Sequence, residues 1–177
     1  MKTLTLFSII FISCSLPAQL KIKLDEQIDT IMPKVVEWRH DIHKYPELGN
    51  REFRTSKKIE EHLVSLGIEV ETKIAYTGLV GLIRGGKPGP TIALRADMDA
   101  LPVEEKTGLP YASKVRTTYL GNDVGVMHAC GHDAHVAILM GVAEFLAKNK
   151  SDIKGNICLF FNLLRKVHLK MRVAVPK

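Results

Sequence analysis

At 177 residues the chain is one domain's worth of polypeptide, long enough to bury a core. Its formal charge of +6 would point to nucleic acid or an anionic membrane, but Arg165, Lys166, Lys170, Arg172 and Lys177 put +5 of it into residues 162–177. Residues 1–161 are nearly balanced and carry no basic stripe interleaved with aromatics, which argues against nucleic-acid binding.

Lys2 followed by the apolar run Leu4 to Ser13 reads as an export signal, too short to span a bilayer. Cleavage after Ala18 would leave a mature N-terminus at Gln19 and an exported protein, periplasmic or extracellular. Leu16 is larger than such sites prefer at the third position before the cut. Lipoprotein processing at Cys14 is the alternative, and Phe11 fits it poorly. No later segment is apolar enough to form a stable membrane span.

Leu24 to Tyr45 carries Ile28, Ile31, Met32, Val35, Val36 and Ile42 at helical spacing and stops at Pro46 and Gly49. A second helix is expected over Thr55 to Leu66, with Ser56 as its cap and Gly67 as its stop. Ile68 to Ile74 and Leu79 to Ile83 read as paired strands. Pro90 to Asp97 is a continuous apolar run ending in charge, the pattern of a buried central strand whose carboxyl end faces a ligand site. Leu101 to Asp123 reads as loop, Ala134 to Ala147 as an apolar helix and Asn156 to Phe161 as a further strand. Alternation of this kind predicts an α/β fold, a mostly parallel sheet with helices on both sides.

The densest chemistry lies in Met127-His128-Ala129-Cys130-Gly131-His132-Asp133-Ala134-His135. Thiolate and imidazole are zinc's preferred ligands, and Gly131 lets Cys130 and His132 turn toward one ion. His128 and His135 read better as supporting or structural groups. A disulfide using Cys158 and a nucleophilic Cys130 are the competing uses of the thiols. The second constellation is Arg95-Ala96-Asp97-Met98-Asp99-Ala100-Leu101-Pro102. Where a strand ends and its alternation lapses, carboxylates two apart can point to opposite sides, so only one need face a site and it can orient a ligating histidine.

These two segments, with Trp38-Arg39-His40-Asp41-Ile42-His43-Lys44-Tyr45-Pro46-Glu47-Leu48 before them, resemble the M20 peptidase family in order and spacing. The match is to its amidohydrolase branch: hippurate hydrolases, N-acyl-amino-acid amidohydrolases and auxin-conjugate hydrolases. It covers about residues 25 to 161. The resemblance implies the N-terminal part of an M20 zinc-peptidase-like catalytic domain. It also implies a two-metal centre of zinc or manganese, a small N-acyl amino acid as substrate, and a homodimer only in full-length form. Cys130 and His132 fall on metal-ligand positions, and Asp99 falls on the aspartate that supports the centre. Asp97 falls where other branches carry a ligating histidine, a role lost in this branch.

The family then places Gln-Pro-Ala-Glu-Glu-Gly after the strand that ends here at Phe161, supplying the general base and a further ligand. This chain instead reads Asn162-Leu163-Leu164-Arg165-Lys166-Val167-His168-Leu169. Codons AAC CTG CTG AGG AAG GTG CAC CT, preceded by one restored C, become CAA CCT GCT GAG GAA GGT GCA CCT. That is Gln-Pro-Ala-Glu-Glu-Gly-Ala-Pro. The expectation is therefore a signal peptide over 1–18, a partial catalytic domain over 19–161 and an out-of-frame tail over 162–177. On this reading the basic tail is incidental, and His168 is not the family's later histidine ligand.

Overall fold

A computed structural model describes the backbone of residues 15–161 and the side chains from Leu24 onward. Residues 1–14, which include Cys14 and most of the expected signal, and the expected out-of-frame tail lie outside the described residues. Helix α1 runs Ser15–Lys44, α2 Phe53–Ser65 and α3 His132–Lys148. The strands are β1 Glu69–Ile74, β2 Gly78–Arg84, β3 Lys87–Ala96, β4 Arg116–Tyr119, β5 Asn122–Gly125 and β6 Lys154–Phe161.

The α/β expectation holds, with a sheet ordered β1-β2-β6-β3. Only β3–β6 is parallel; β1–β2 and β2–β6 are antiparallel, so the described strands form a mixed sheet rather than a mostly parallel one. The antiparallel β1–β2 pair follows from a short reversal between the two strands, where Ala75 and Tyr76 take positive φ. Alternation along the strands sends Leu79, Ile83, Ile157, Leu159 and Phe161 into one core with Ile59 and Leu63 of α2 and Val136, Met140 and Ala143 of α3. Val80, Leu82, Cys158 and Phe160 form a separate cluster that contains no described helix residue, so the described helices share one face.

β3 departs furthest from expectation. It forms an edge of the described sheet, and only Ala96 along it is buried; Ile92 is 50% exposed. An apolar strand reads as central because the sequence records what it could bury, not which neighbours flank it. α1 lies against α3, where Gly141 gives room: a Cβ there would meet Val35 Cγ2 at 2.6 Å. No described helix is long and apolar enough to cross a membrane.

Two local details differ from the reading. Ser56 is inside α2 and does not cap it. The Glu47 carboxylate takes that role from outside the helix, accepting from Arg54 N at 2.9 Å and Thr55 N at 2.8 Å. Part of the expected 101–123 loop is a hairpin, β4–β5, whose two-residue turn has Leu120 at φ 49° and Gly121 at φ 80°. Leucine is a poor signal for that turn, which explains why it reads as loop.

Candidate metal centre

Three segments far apart in sequence are stitched together by backbone hydrogen bonds. Ala100 N donates to Glu47 O at 2.8 Å, joining the first motif to the second. Leu101 and Met127 exchange bonds of 2.9 and 3.0 Å, joining the second to the third. Leu48, Ala100 and Val126 pack beneath as a small buried cluster. The carboxyl end of β3 is thereby fixed against the start of α3. Gly131, at φ 88°, lets the chain turn and begin α3 at His132 without a side-chain cap.

His132 Nδ1 donates to the Asp99 carbonyl oxygen at 2.9 Å. The Asp99 carboxylate Oδ1 lies 3.0 Å from the same nitrogen but off the hydrogen-bond direction, and it is buried with no hydrogen-bond partner among the described residues. An imidazole held through Nδ1 presents Nε2 for ligation. His135 stands three residues on, along the same helix face, its ring centroid 5.5 Å from that of His132. Asp97, at the end of β3, is ion-paired with Arg95. Ligand atoms of Asp97, His132 and His135 all lie within 4.8 Å of one another, the one such group among the described residues. The orphaned Asp99 oxygen and this imidazole–carboxylate donor set both suit a divalent cation.

Behind this surface lies a buried chain of charge. His43 bridges two carboxylates, its Nδ1 2.9 Å from Asp133 Oδ2 and its Nε2 3.1 Å from Glu105 Oε1, and Arg39 Nε donates to the same Asp133 oxygen at 3.2 Å. The His43, Glu105 and Asp133 side chains are almost fully buried. Burial pushes the Asp133 carboxyl up, but the His43 hydrogen bond, the neighbouring His128 and the Ala134 N–H together hold it below its usual value. Tyr111 stacks on His40 with ring centroids 3.8 Å apart.

His128 is buried beside this chain, and neither of its ring nitrogens has a hydrogen-bond partner among the described residues. Burial pushes its pKa down from the ordinary 6.5 to about 4. The unfolded chain thus binds a proton near pH 6.5 that the folded chain refuses until about pH 4. Stability should fall as pH drops through that window, by on the order of 3 kcal/mol in all. Urea midpoints measured from pH 7 to pH 4 check this: His128→Gln should flatten the dependence, and an unchanged slope would refute it.

Of the sequence-predicted residues, Asp99 and His132 are brought into contact. Cys130 is an exposed free thiol outside the three-ligand group, and Cys158 is a buried free thiol, so the conceivable disulfide is absent among the described residues. Asp97, expected to have lost a ligand role, and His135, expected to be supporting or structural, both stand beside His132. The signal for His135 was present: with α3 starting at His132 rather than Ala134, the two histidines fall at i and i+3 on one face.

Residues 93–163 match the sequence profile of peptidase family M20/M25/M40. The chain is 52% identical over 140 residues to thermostable carboxypeptidase 1 of Saccharolobus solfataricus, covering 78% of this chain and 34% of that one. It is 46% identical over 134 residues to the N-acetyl-L-cysteine deacetylase of Bacillus subtilis, covering 76% and 30%. Among solved structures it is similar to the Bacillus subtilis YXEP protein, a dinuclear metal-binding peptidase of the M20 family. That match has a TM-score of 0.67 and 40% identity and covers 75% of this chain and 35% of the other. The chain thus spans about a third of the length of the relatives it matches. Three motifs folded onto one sheet end and likeness in both sequence and structure agree: the chain belongs to the M20 peptidase family.

Proposed function

We propose that this chain is the ligand-bearing N-terminal part of a metal-dependent amidohydrolase that cleaves the amide bond of N-acyl amino acids, and that in its present form it turns over such substrates negligibly. The observation that carries the reading is His132, fixed through Nδ1 by Asp99 at the carboxyl end of β3. The deacetylase relative acts on an N-acetyl amino acid, which supports the substrate class.

A divalent ion, zinc or manganese, supplies Lewis acidity for the amide carbonyl and for water. His132 would hold it, with Cys130 as a second ligand if its thiol turns inward. Asp99 keeps the imidazole in one tautomer and adds negative charge behind it. The group that takes water's proton is the part this chain does not supply. After Phe161 the sequence reads Asn162-Leu163-Leu164-Arg165-Lys166, without the paired glutamates that the family resemblance implies there. A missing general base costs typically about 10²–10⁴-fold in rate, and missing ligands weaken metal retention further.

The experiment compares hydrolysis of a panel of N-acyl amino acids, with zinc or manganese added, by this chain and by the product in which one base is restored before codon 162. Turnover only by the restored product is expected. Comparable turnover by both would contradict the frame-shifted reading, and inactivity of both would contradict the substrate class.

A further inference from the structure

We propose that the second face of the sheet, built on Val80, Leu82, Cys158 and Phe160, is the docking surface for the chain's own segment 162–177, which covers it with Val167, Met171 and the apolar residues beside them. The inference stands apart from the metal-dependent reading and gives the segment a structural task whatever its origin.

The face comes first. Directly paired residues share one side of a sheet, and the register sets Val80 against Phe160 and Leu82 against Cys158. Val80 is 7% exposed, Leu82 8%, Cys158 0% and Phe160 9%. Neighbouring strands shield a side chain from the flanks and leave its tip open, so burial this deep needs a layer above the sheet. The buried residues of α2 and α3 pack against the other face, and Ile74 is the one described apolar residue packed against this cluster. The burial is that of a single chain, which points to a covering layer outside the described residues.

Position separates the two segments that lie outside them. Residues 162–177 leave β6 at Phe161, one residue beyond Phe160 of the face itself. Residues 1–14 lead into α1, which packs on α3 and so belongs to the opposite layer. The nearer segment is favoured, because closing a short loop costs the least entropy. Its 16 residues (177 − 161) reach about 24 Å as a helix, against about 26 Å for the 8 residues of β6.

The residue pattern fits in either regular conformation. Leu163, Leu164, Val167, Met171, Ala174 and Val175 would gather on one side of a helix, and Val167, Leu169, Met171, Val173 and Val175 on one side of a strand. Val167 and Met171 belong to both sets, and Arg172 belongs to neither. Charge agrees as well. Glu71, paired with Val80 and so on the same face, is an exposed carboxylate beside a segment of charge +5. Arg95, on the far flank, is ion-paired with Asp97.

Cys158 reports on the cover. It sits at the centre of the face, and burial pushes its thiol pKa up. In the full chain carrying Cys14→Ser and Cys130→Ser, it is the one thiol left of 3. The measurement is its rate of disulfide exchange with 5,5'-dithiobis(2-nitrobenzoate) under native conditions. Val167→Asp with Met171→Asp should speed exchange about tenfold or more, while Arg172→Asp, an equal change in charge, should leave it within about twofold. Emission of Trp38, the single tryptophan, which packs against the first core, should be the same in all three chains. That separates local uncovering from unfolding. If the doubly charged variant unfolds, Val167→Ala with Met171→Ala decides, with exchange about threefold faster expected. Unchanged protection in the folded variant would overturn the proposal. So would protection lost on starting the chain at Gln19, which would assign the cover to the N-terminal segment. Protection lost on dilution would overturn it in favour of a second copy of the chain.

Discussion

Gly155→Ala should unfold the chain or lower its stability by more than about 4 kcal/mol, the range reserved for gross backbone disruption. Gly155 opens the parallel ladder between β6 and β3, where Lys87 pairs with Lys154 and Thr91 with Asn156, so three residues of β3 oppose this one. Its φ is 84°, and a Cβ there would sit 1.8 Å from the Pro90 carbonyl oxygen and 2.6 Å from the Gly89 carbonyl carbon. Those are backbone atoms, so no rotamer change relieves the clash. Moving them would cost the ladder that carries Asp97 to the site. Gly121→Ala is the control. It too has a positive φ, of 80°, but among the described residues nothing lies within 4 Å of the added carbon. Only the left-handed penalty of about 1–2 kcal/mol applies there. Urea midpoints for the two variants check the contrast, and similar losses would refute it.

The second large effect is expected at Asp133. Its side chain is 1% exposed and accepts from both His43 and Arg39 through one oxygen. Asp133→Ala would leave His43 with Glu105 as its one carboxylate partner and Arg39 with none from this pair. Breaking a buried ion pair in this way costs about 3–5 kcal/mol. Asp133→Asn keeps an acceptor for His43 and the shape of the side chain, so it should cost less than half as much. Equal losses in the two variants would mean that cavity and helix-start effects, rather than the charge chain, decide the stability of this corner.

Much of this architecture is legible in the sequence because its signals are local. α2 shows Thr55, Ile59 and Leu63 at helical spacing, and Gly67 closes it at φ 70°. β2 and β6 alternate between two buried faces, and the pairing of Asp99 with His132 follows from a strand end meeting a helix start. What could not be read was set by neighbours. The exposure of β3 depends on what flanks it. The capping of α2 by Glu47 depends on a loop returning to the helix, as does the burial of His43 between Asp133 and Glu105. No periodicity in residues 38–48 distinguishes His43, which joins the charge chain, from His40, which stacks on Tyr111.

The central claim is that the Asp99-oriented His132 is a metal ligand of an amide-cleaving centre. The most direct measurement is hydrolysis of N-acetyl amino acids by the longer, frame-restored product, before and after chelation and metal add-back, alongside its His132→Ala variant. The expected result is turnover that chelation removes, that zinc or manganese restores, and that His132→Ala lowers by about 10²-fold or more at any metal concentration. Turnover that survives both chelation and His132→Ala would contradict it.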